Sequence, residues 1–512
     1  MAYEFLFDRG STVHVVRLTS FWEISLFSVF TINRFTSNNH RRGSPKAKIS
    51  RPVARKGLPD GRISTMASRR LIEMFRGRII RRLVLFAILI CLLFAGLQRT
   101  LAPTRPIPPT PALSPNGIPN FRRQAQFWNN LYDLLESNPP GVDAPKRLRR
   151  VGEIIFKPDA SYARPDLLYM PDPDVELLRK SHQQVVQKIE ANTARLRLVY
   201  EGGKRGIVSA ATKRDLPTLL VSLRMLRQRG TRFPVEVFIA SKSEYDDIVC
   251  GVILPGLNAN CIVMSDILGI LWLDADCFPL HDAIEIFQSE PFTEIGLVTW
   301  PDFWVSSASP YFYNITSQPQ PSLSERASTN GRQFLISKKT HAKTLLLASY
   351  YNYYGTMHYY RLLGQGAPGE GDKESFLAAA SVLNQPFYAV REPIRSIGRL
   401  NADGNMTAYA MVQYSPTEDH KLMTSIFNGN SRKHFGLDGP NGRPMRAWVE
   451  EKETIDSIGG PKVERQLWSQ VAWTACTLEE MEYKDWARHR PICTRANEYV
   501  DAVFSEGNNN TR

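Results

Sequence analysis

The chain has 512 residues, which is enough for one large domain or for two ordinary domains with appendages. Its net charge of +14 lies almost entirely in residues 1–82, where 17 Lys+Arg against 5 Asp+Glu give +12, so the remaining 430 residues carry only +2. A nearly neutral main body excludes a general nucleic-acid binder, because such proteins carry their basic charge on the folded surface.

The basic tail ends at an uncharged apolar run from Leu83 to Leu97. This run is shorter than the roughly 20 residues that usually cross a bilayer, but residues 79–82 lengthen it when the two arginines there snorkel to the interface. We therefore predict a transmembrane signal anchor over 79–98, with a cytosolic N-terminus and a lumenal main body. The alternatives are a cleaved signal peptide, whose apolar core has a similar length, and a buried core helix.

Residues 1–78 are predicted to form the cytosolic basic tail of this anchor. From Met66 onward the sequence reads as a compact basic tail, so residues 1–65 are either a disordered extension or a segment upstream of the true start of translation. Residues 99–120 are rich in proline and predict an extended stem. Three Asn-x-Ser/Thr sequons beyond the anchor agree with a lumenal main body: Asn314, Asn405 and Asn509.

The cysteines beyond the anchor fall into two close pairs and one single residue. Cys250 with Cys261, and Cys476 with Cys493, are candidate disulfides in an oxidising lumen. Buried free thiols are the alternative for the first pair. Cys277 is left over, and we expect it to be buried.

Residues 121–198 predict a helical neck before the globular domain at 199–505. Helical spacing of apolar residues is seen over 121–136, and a long polar helix is predicted over 174–197. The globular domain opens with a strand at 206–211, a helix at 216–228 and a strand at 235–240.

A strand, a helix and a strand within about 35 residues form a βαβ unit and predict a parallel sheet. Ligands on such sheets bind beyond the carboxyl ends of the strands. The turn from Ser209 to Lys213 lies at one such end.

An Asp-x-Asp turn follows a buried apolar strand at 271–273. Asp274 and Asp276 can offer hard oxygen ligands to a divalent cation. A cation held there can bind the diphosphate of a nucleotide-sugar and stabilise the charge that develops as the sugar leaves. The alternative is a solvated turn at the end of a strand. Because this turn also follows a strand of the sheet, we expect it to lie on the same rim as Ser209.

Further strands are predicted at 295–300 and 333–337, and a helix at 340–354. The segment between the two strands is aromatic. Aromatic side chains of this kind either stack on sugar rings or fill a core: Phe303, Trp304, Tyr311, Phe312 and Tyr313.

A glycine-rich loop over 364–371 leads into an acidic helix start. Such a loop lets backbone approach a ligand closely, and it presents Glu370, Asp372 and Lys373. The alternative is an ordinary turn in which Asp372 caps the helix.

Four blocks of this chain together resemble the fungal Golgi α-mannosyltransferases of glycosyltransferase family 71. The resemblance extends over roughly residues 121–505, and the block GEGDKESF is most similar to the α-1,2 branch. The blocks lie at 205–238, 271–280 (LWLDADCFPL), 331–355 and 364–380.

The resemblance implies an α/β fold of the GT-A type, with a mostly parallel sheet flanked by helices. It also implies GDP-mannose as the donor, Mn²⁺ as the divalent metal and transfer with retention of configuration. Asp274 and Asp276 would then bind the metal and the diphosphate, with Ser209 and Lys213 near the nucleotide.

Glu370 and Asp372 are the catalytic residues implied by the resemblance, approaching the transferred mannose or the acceptor hydroxyl. No nucleophile is assigned, because in a retaining enzyme the leaving phosphate can take the acceptor proton. The implied partners are a mannan or N-glycan acceptor, the Golgi membrane and a Golgi mannosyltransferase complex.

Two alternatives stay open within the resemblance. One is an α-1,3-mannosyl or phosphomannosyl transferase of the same fold. The other is an inactive member that binds glycan or serves as a scaffold in an enzyme complex.

The chain departs from its relatives in two places. The segment from Cys261 to Ile270 has almost no crossover, whereas parallel neighbours need a dozen or more connecting residues. Either the strand at Cys261 is not a parallel neighbour of the Asp-x-Asp strand, or a segment is absent through a wrong exon boundary. Near the C-terminus, a histidine of the relatives is missing or replaced by His434.

Overall fold

The computed structural model describes residues 3–9, 12–18, 117–191, 194–262, 267–401, 404–417, 422–427, 444–484 and 491–505. The predicted anchor, residues 428–430 and His434 lie outside these ranges. No helix within the described ranges has both the length and the apolar character needed to cross a bilayer. At the N-terminus, strands β1 (Tyr3–Arg9) and β2 (Thr12–Leu18) form an antiparallel hairpin.

A seven-stranded sheet forms the centre of the described main body. In space its order is β12-β10-β11-β8-β5-β6-β7. Six of the strands are mutually parallel, and β11 runs antiparallel to both β8 and β10. The strands are β5 (Arg205–Ala210), β6 (Val235–Phe238), β7 (Ala259–Ile262), β8 (Gly269–Leu273), β10 (Leu297–Val305), β11 (Ala327–Ser337) and β12 (Tyr388–Ala389).

Seven longer helices are described, and most of them cover this sheet. They are α1 (Gly117–Glu136), α2 (Asp172–Ala191), α3 (Leu216–Gln228), α4 (Ala342–Tyr353), α5 (Ser375–Val382), α6 (Pro461–Glu480) and α7 (Ile492–Phe504). Shorter helical turns lie at Lys242–Glu244, Val249–Ile253, Leu254–Gly256, Ile284–Gln288, Glu290–Glu294, Pro310–Thr316, Gly355–Tyr359, Tyr360–Gly364, Asp372–Glu374 and Lys452–Ser457.

The two faces of the sheet are buried by different helices, as the alternation of side chains along a strand requires. Helices α1, α2, α4 and α5 share one apolar core with the side chains of Val208, Trp272 and Phe334. Helix α3 shares a second core with Ile207 and Leu271 on the opposite face. The neck helices α1 and α2 therefore pack in the same core as the central strands.

A second, four-stranded sheet extends the main body beyond the Asp-x-Asp turn. Its order is β13-β14-β15-β9, all antiparallel, and α6 and α7 accompany it. The strands are β9 (Cys277–Pro279), β13 (Arg395–Leu400), β14 (Met406–Tyr414) and β15 (Leu422–Phe427). A two-stranded pair, β3 (Lys146–Arg147) and β4 (Leu168–Tyr169), lies in the neck.

The predicted cysteine pairing is confirmed. Cys250 is bonded to Cys261, and Cys476 to Cys493, while Cys277 is a buried free thiol. The second bridge joins α6 to the start of α7.

The βαβ unit and the mostly parallel sheet are also confirmed, but several bounds differ from prediction. Helix α2 ends at Ala191 rather than running on to residue 197. Strand β10 continues past Trp300 through Pro301, because the partner strand β12 pairs only with Val298 and Thr299 and leaves the proline without a neighbour on that side. The sequence pattern also did not reveal that β11 runs antiparallel.

The strands on either side of the short connection after Cys261 are not adjacent in the sheet. Strand β7 pairs with β6 at the edge of the sheet, and β5 and β6 both separate it from β8. The strand at Cys261 is therefore not a neighbour of the Asp-x-Asp strand, as the first of the two alternatives states. Because β7 and β8 are still parallel strands of one sheet, the connection has to cross that sheet, and the wrong exon boundary stays a prediction.

Candidate active site

The Asp-x-Asp turn is held from three sides. Strand β8 is buried along its whole length and delivers Asp274 to the carboxyl rim of the sheet. The Asp274 N–H donates to the Arg332 carbonyl (2.9 Å), and the Cys277 N–H donates back to the Asp274 carbonyl (2.9 Å). The Ser222 hydroxyl of α3 donates to the Ala275 carbonyl (2.6 Å). The turn is therefore fixed by the sheet and by a helix at once.

Each of the two carboxylates has its own partner. The indole N–H of Trp272 donates to Oδ1 of Asp274 (3.2 Å). The Arg332 guanidinium donates to Oδ2 of Asp276 (2.5 Å), in an ion pair whose two side chains are 32% and 20% exposed. Arg332 lies on the antiparallel strand β11, next to β8.

The glycine-rich loop packs directly against β11. A Cβ on Gly331 would lie 2.9 Å from the Lys373 Cβ and 3.0 Å from its Cα, so only glycine allows this approach. The buried Glu374 carboxylate accepts from the Thr329 N–H (2.7 Å) and from Arg326 (3.3 Å). These contacts fix the turn Asp372–Glu374 beside the Asp-x-Asp turn.

Three carboxylates consequently meet at one rim: Asp274, Asp276 and Asp372. Burial raises the pKa of Asp274 to about 7, Arg332 opposes this shift, and the charges of Asp276 and Asp372 add to it. Burial likewise raises the pKa of Asp372 to about 6. Such shifts mark a place where negative charge is crowded and only partly compensated.

Asp372 does not act as a helix cap, which was the alternative for this residue. The cap positions are Gly371 for the short turn and Glu374 for α5, and neither helix start has a side-chain cap bond. Its carboxylate instead faces the charges at the rim.

The residues fit a hard divalent cation. Within the described ranges, no group of three or more His, Cys, Asp or Glu side chains is placed to hold a metal ion. Cations that accompany nucleotides use only one or two protein carboxylates, and phosphate oxygens and water complete their coordination. Asp274 and Asp276 supply that donor set, and a cation would relieve the crowding of negative charge around Asp274.

Glu370 is partly buried and forms an ion pair with the neck. Its Oε1 accepts from Arg147 of β3 (2.5 Å), and its other oxygen accepts from the Gly366 N–H. Lys373 forms a second ion pair, from Nζ to Oδ2 of Asp302 (3.0 Å). Both contacts shape the loop.

The predicted nucleotide turn begins one strand away from the Asp-x-Asp turn. Val208 pairs with Trp272, so the next residue, Ser209, lies level with the end of β8. Ser209 is buried, and its hydroxyl has no hydrogen-bond partner among the residues that the structure describes. Lys213 is anchored by its side chain to Asp246 (3.5 Å), and its carbonyl accepts from the Tyr483 hydroxyl (2.6 Å).

Sequence reasoning missed Arg332 and Arg147. Arg332 lies within the block at 331–355, directly after the glycine that the loop needs, but a lone arginine before an apolar strand gives no signal of its partner. Arg147 lies 223 residues from Glu370 in the sequence, so no local pattern could have joined them. Most of the aromatic segment is core: Phe312 is buried, and Tyr311 and Tyr313 pack against it.

Comparison with known proteins shows that a family model matches the part of the chain that holds these residues. A family model described as "Mannosyltransferase putative" matches residues 204–333 and 326–417. All the residues of the rim described above fall inside these two ranges.

Several curated fungal proteins are similar to the chain. Alpha-1,2-mannosyltransferase MNN24 of Candida albicans is 33% identical over 334 residues, covering 53% of this chain and 47% of the relative. Alpha-1,2-mannosyltransferase MNN21 of the same organism is 32% identical, covering 57% and 56%. Alpha-1,2-mannosyltransferase MNN2 of Saccharomyces cerevisiae is 29% identical, covering 60% and 63%. The chain thus spans about half the length of the curated relatives it matches.

Among solved structures, the galactosyltransferase LgtC in complex with donor and acceptor sugar analogs is 12% identical, covers 34% of this chain and 70% of that one, and has a TM-score of 0.25. Mouse xyloside xylosyltransferase 1 is 13% identical, covers 36% and 85%, and also has a TM-score of 0.25. The sequence matches confirm the predicted resemblance: over 53% to 60% of its residues the chain is similar to fungal α-1,2-mannosyltransferases, and its candidate site lies inside the region that the mannosyltransferase model matches.

Proposed function

We propose that the chain is a retaining α-1,2-mannosyltransferase that transfers mannose from GDP-mannose to α-mannosides of mannan or N-glycans. The proposal includes a GT-A type catalytic domain, Mn²⁺ as the cation and a type II anchor in the Golgi membrane. Its support is the similarity to curated α-1,2-mannosyltransferases together with the chemistry of the rim.

The observation that carries the proposal is the meeting of Asp274, Asp276 and Asp372 at the carboxyl rim of a mostly parallel sheet. This rim is where such sheets bind ligands. Two carboxylates from one turn suit a cation, and the third comes from a separate loop that can reach the other side of a ligand. A solvated turn does not need a third carboxylate brought 96 residues along the chain from Asp276 to Asp372.

Asp274 and Asp276 would hold the divalent cation. When bound, the cation supplies charge stabilisation to the diphosphate leaving group. Trp272 and the hydrogen bonds of the turn keep the two carboxylates oriented before the donor arrives.

Arg332 is the residue of this chain best placed to bind phosphate. Its planar guanidinium can form two parallel hydrogen bonds to phosphate oxygens, as it does to carboxylates. In the structure it pairs with Asp276, at the place where the diphosphate would arrive. It would orient the leaving group and stabilise its negative charge.

Asp372 would orient a hydroxyl of the transferred mannose or of the acceptor, because its loop faces the Asp-x-Asp turn across β11. Glu370 would position this loop through Arg147, and its direct contact with sugar stays a prediction. Ser209 offers the nucleotide a buried hydroxyl that has no partner in the described part of the chain.

The test uses the full chain, purified in detergent, with GDP-mannose and α-1,6-mannotetraose. Mannose transfer that depends on Mn²⁺ is expected, and the product linkage, read by NMR, should be α-1,2. The variant Asp276→Asn is the matched control, because it keeps the shape of the side chain and removes its charge. A well-folded wild-type chain without transfer would contradict the proposal, and an α-1,3 or phosphodiester product would select the alternative transferases.

A further inference from the structure

A small cavity opens beside the glycine-rich loop, away from the Asp-x-Asp turn. Its volume is about 240 Å³, and its walls come from the neck segment 151–165, the end of β10 and the loop. The residues that the argument uses are Ile154, Tyr162, Trp304, Ser306 and Pro368. The sequence left two interpretations of Trp304 open: stacking on a sugar ring or packing in the core. In the structure its side chain lines this cavity.

The chemistry of the walls selects the ligand class. All the residues that line the cavity belong to the described ranges, and none of them is charged. Two aromatic rings, aliphatic groups and a few hydroxyls suit a neutral ligand that is apolar on its faces and polar at its edge. A pyranose ring has this character, whereas a nucleoside diphosphate needs cations. The volume also lies below the roughly 300–1,000 Å³ of pockets for larger ligands, so it suits one sugar ring.

The aromatic walls are held in place before any ligand binds. The Tyr162 hydroxyl accepts from the Lys157 N–H (2.6 Å) and is within 3.2 Å of the Ile155 carbonyl. Ile155 in turn forms an antiparallel bridge with Trp304, and the Val305 N–H donates to the Ile154 carbonyl (2.9 Å). The Tyr162 side chain and the Trp304 backbone are therefore held in place, which lowers the entropic cost of binding.

The cavity is connected to the candidate active site through one loop. Gln365, fully buried, donates from Nε2 to the carbonyls of Pro165 and Ser307 (2.8 Å each), so it ties the neck to the end of β10. Three residues later Pro368 lines the cavity, and Asp372 follows at the rim. A glycan in the cavity would therefore lie within a few residues of the catalytic loop.

The sheet topology separates this cavity from the nucleotide side. The order β10-β11-β8-β5 places Trp304 and the turn after Ser209 on opposite sides of the Asp-x-Asp strand. Strand β10 is parallel to β8, and it continues from the level of Thr299 to Val305, beyond the same carboxyl rim. The donor and the cavity thus approach the rim from two sides.

We propose that this cavity binds one mannose unit of the acceptor glycan, neighbouring the unit that receives the transferred sugar. This inference rests on the proposed function and extends it, because it assigns the acceptor subsite to the neck and to Trp304. The neck then contributes to acceptor recognition as well as to the core.

The experiment compares two substitutions of the full chain, Trp304→Leu and Trp304→Phe. Leucine keeps apolar volume but removes the ring, while phenylalanine keeps a ring for stacking. For Trp304→Leu we expect the KM for α-1,6-mannotetraose to rise about tenfold, which corresponds to one stacking contact. The KM for GDP-mannose, and the release of GDP from it without acceptor, should not change. Trp304→Phe should recover most of the acceptor affinity.

Two further variants keep the test decisive. Tyr162→Leu removes the opposite ring and should also raise the KM for α-1,6-mannotetraose. It takes the place of Trp304→Leu if that variant fails to fold. Met357→Ala is the matched control, because Met357 is apolar and 54% exposed but lies outside the cavity. An unchanged acceptor KM in both ring variants would overturn the inference. A raised KM for GDP-mannose would overturn it too, since the cavity would then hold the donor.

Failure of the proposed function gives a different result. In that case the wild-type chain neither transfers mannose nor releases GDP, with every variant equal. The cavity can then still be tested by measuring the binding of α-1,6-mannotetraose with saturation-transfer NMR. Binding to the wild-type chain that is lost in Trp304→Leu supports a glycan site, and equal or absent binding to both contradicts it.

Discussion

At the scale of single residues, the rim combines charges that oppose one another. Asp274 lies among two other carboxylates. Arg332, which pairs with Asp276, and the indole N–H of Trp272, which donates to Asp274, both oppose this negative charge. The partner of each charged group at the rim determines how that group affects folding stability, donor binding and the pH dependence of both. Two predictions follow from this arrangement.

The first concerns Asp274 and pH. Its pKa in the folded chain is raised to about 7 from the ordinary 3.8, so the native state binds the proton more tightly than the unfolded state does. Stability without metal should therefore fall as the pH rises from about 4 through 7. Asp274→Asn carries no charge and should escape this loss, so at pH 8 it should be more stable than wild type by on the order of 1 to 3 kcal/mol.

Denaturant unfolding at pH 4 and pH 8, in buffer with chelator, checks this expectation. The two chains should be nearly equal at pH 4, close to the unfolded pKa of 3.8, because the folded and unfolded states then differ little in proton binding at Asp274. Added Mn²⁺ should stabilise only the wild-type chain at pH 8. An identical pH profile for both chains would show that Asp274 does not titrate in this range.

The second concerns Arg332. Arg332→Ala should lower kcat/KM for GDP-mannose by on the order of 100-fold, because it removes a positioned cation from the leaving group. Arg332→Lys keeps the charge but loses the planar guanidinium, so its kcat/KM should lie between those of the wild type and Arg332→Ala. Inhibition by GDP should weaken in parallel, which a purely structural role would not produce. Lys180→Ala, from an exposed pair with Glu176 (3.9 Å), is the control and should behave as wild type.

At the scale of elements, the site depends on how the glycine-rich loop and β11 fit together. Gly331 and Glu374 bring the loop against the strand, and Asp372 is carried along with them. The disulfide between α6 and α7 has a comparable role at the C-terminal end, where the last helix has few buried residues of its own.

Gly331→Ala should separate the loop from the strand. The added Cβ would meet the Lys373 Cβ at 2.9 Å, so backbone must shift and Asp372 must move with it. We expect a stability loss of about 1–3 kcal/mol and a larger relative loss of transfer activity. Thermal unfolding and kcat measure the two effects. Gly202→Ala, with no atom within 4 Å of the new Cβ, should change neither; equal activity in both variants would contradict the role of the loop.

Loss of the Cys476–Cys493 bridge should destabilise the C-terminal helices. The double variant Cys476→Ser, Cys493→Ser opens a loop of 17 residues and should lower the free energy of unfolding by about 2–4 kcal/mol. Transfer at low temperature should be little affected, since the bridge is remote from the rim. Alkylation of the denatured, unreduced wild-type chain provides the check on pairing: of the five cysteines that the structure describes, only Cys277 should be labelled.

At the scale of the whole molecule, most of what could be predicted about the fold came from local patterns in the sequence. The spacing of apolar residues identifies the strands and the helix of the βαβ unit at 205–238, and the apolar run before Asp274 identifies a buried strand. These elements together predicted a parallel sheet. The reversed direction of β11 could not be read, because a strand's pattern is the same in either direction. The edge position of β7 was open for a similar reason: pairing partners are set by packing between elements distant in sequence.

The candidate site was predictable in part for the same physical reason. Asp274, Asp276 and Asp372 stand in local motifs. The common rim of parallel strands predicted that the Asp-x-Asp turn lies near Ser209, whereas the approach of Asp372 to the same site was implied only by the resemblance. Arg332 and Arg147 act through partners 56 and 223 residues away, and only the folded chain shows those pairs. Long-range charge pairs leave no trace in local spacing.

The shared core of the neck and the central strands bears on how the protein can be divided. Phe127, Leu131 and Leu178 from the first two helices fill the same interior as Trp272 and Tyr351, and Arg147 reaches the catalytic loop. A protein shortened to begin at residue 199 would expose that interior to water, and we expect it to aggregate on expression. A version beginning at residue 117 keeps the interior closed and should remain monomeric by size-exclusion chromatography. A well-folded, soluble product from residue 199 would show that the neck is dispensable, and in that event it could be treated as a mere spacer between membrane and enzyme.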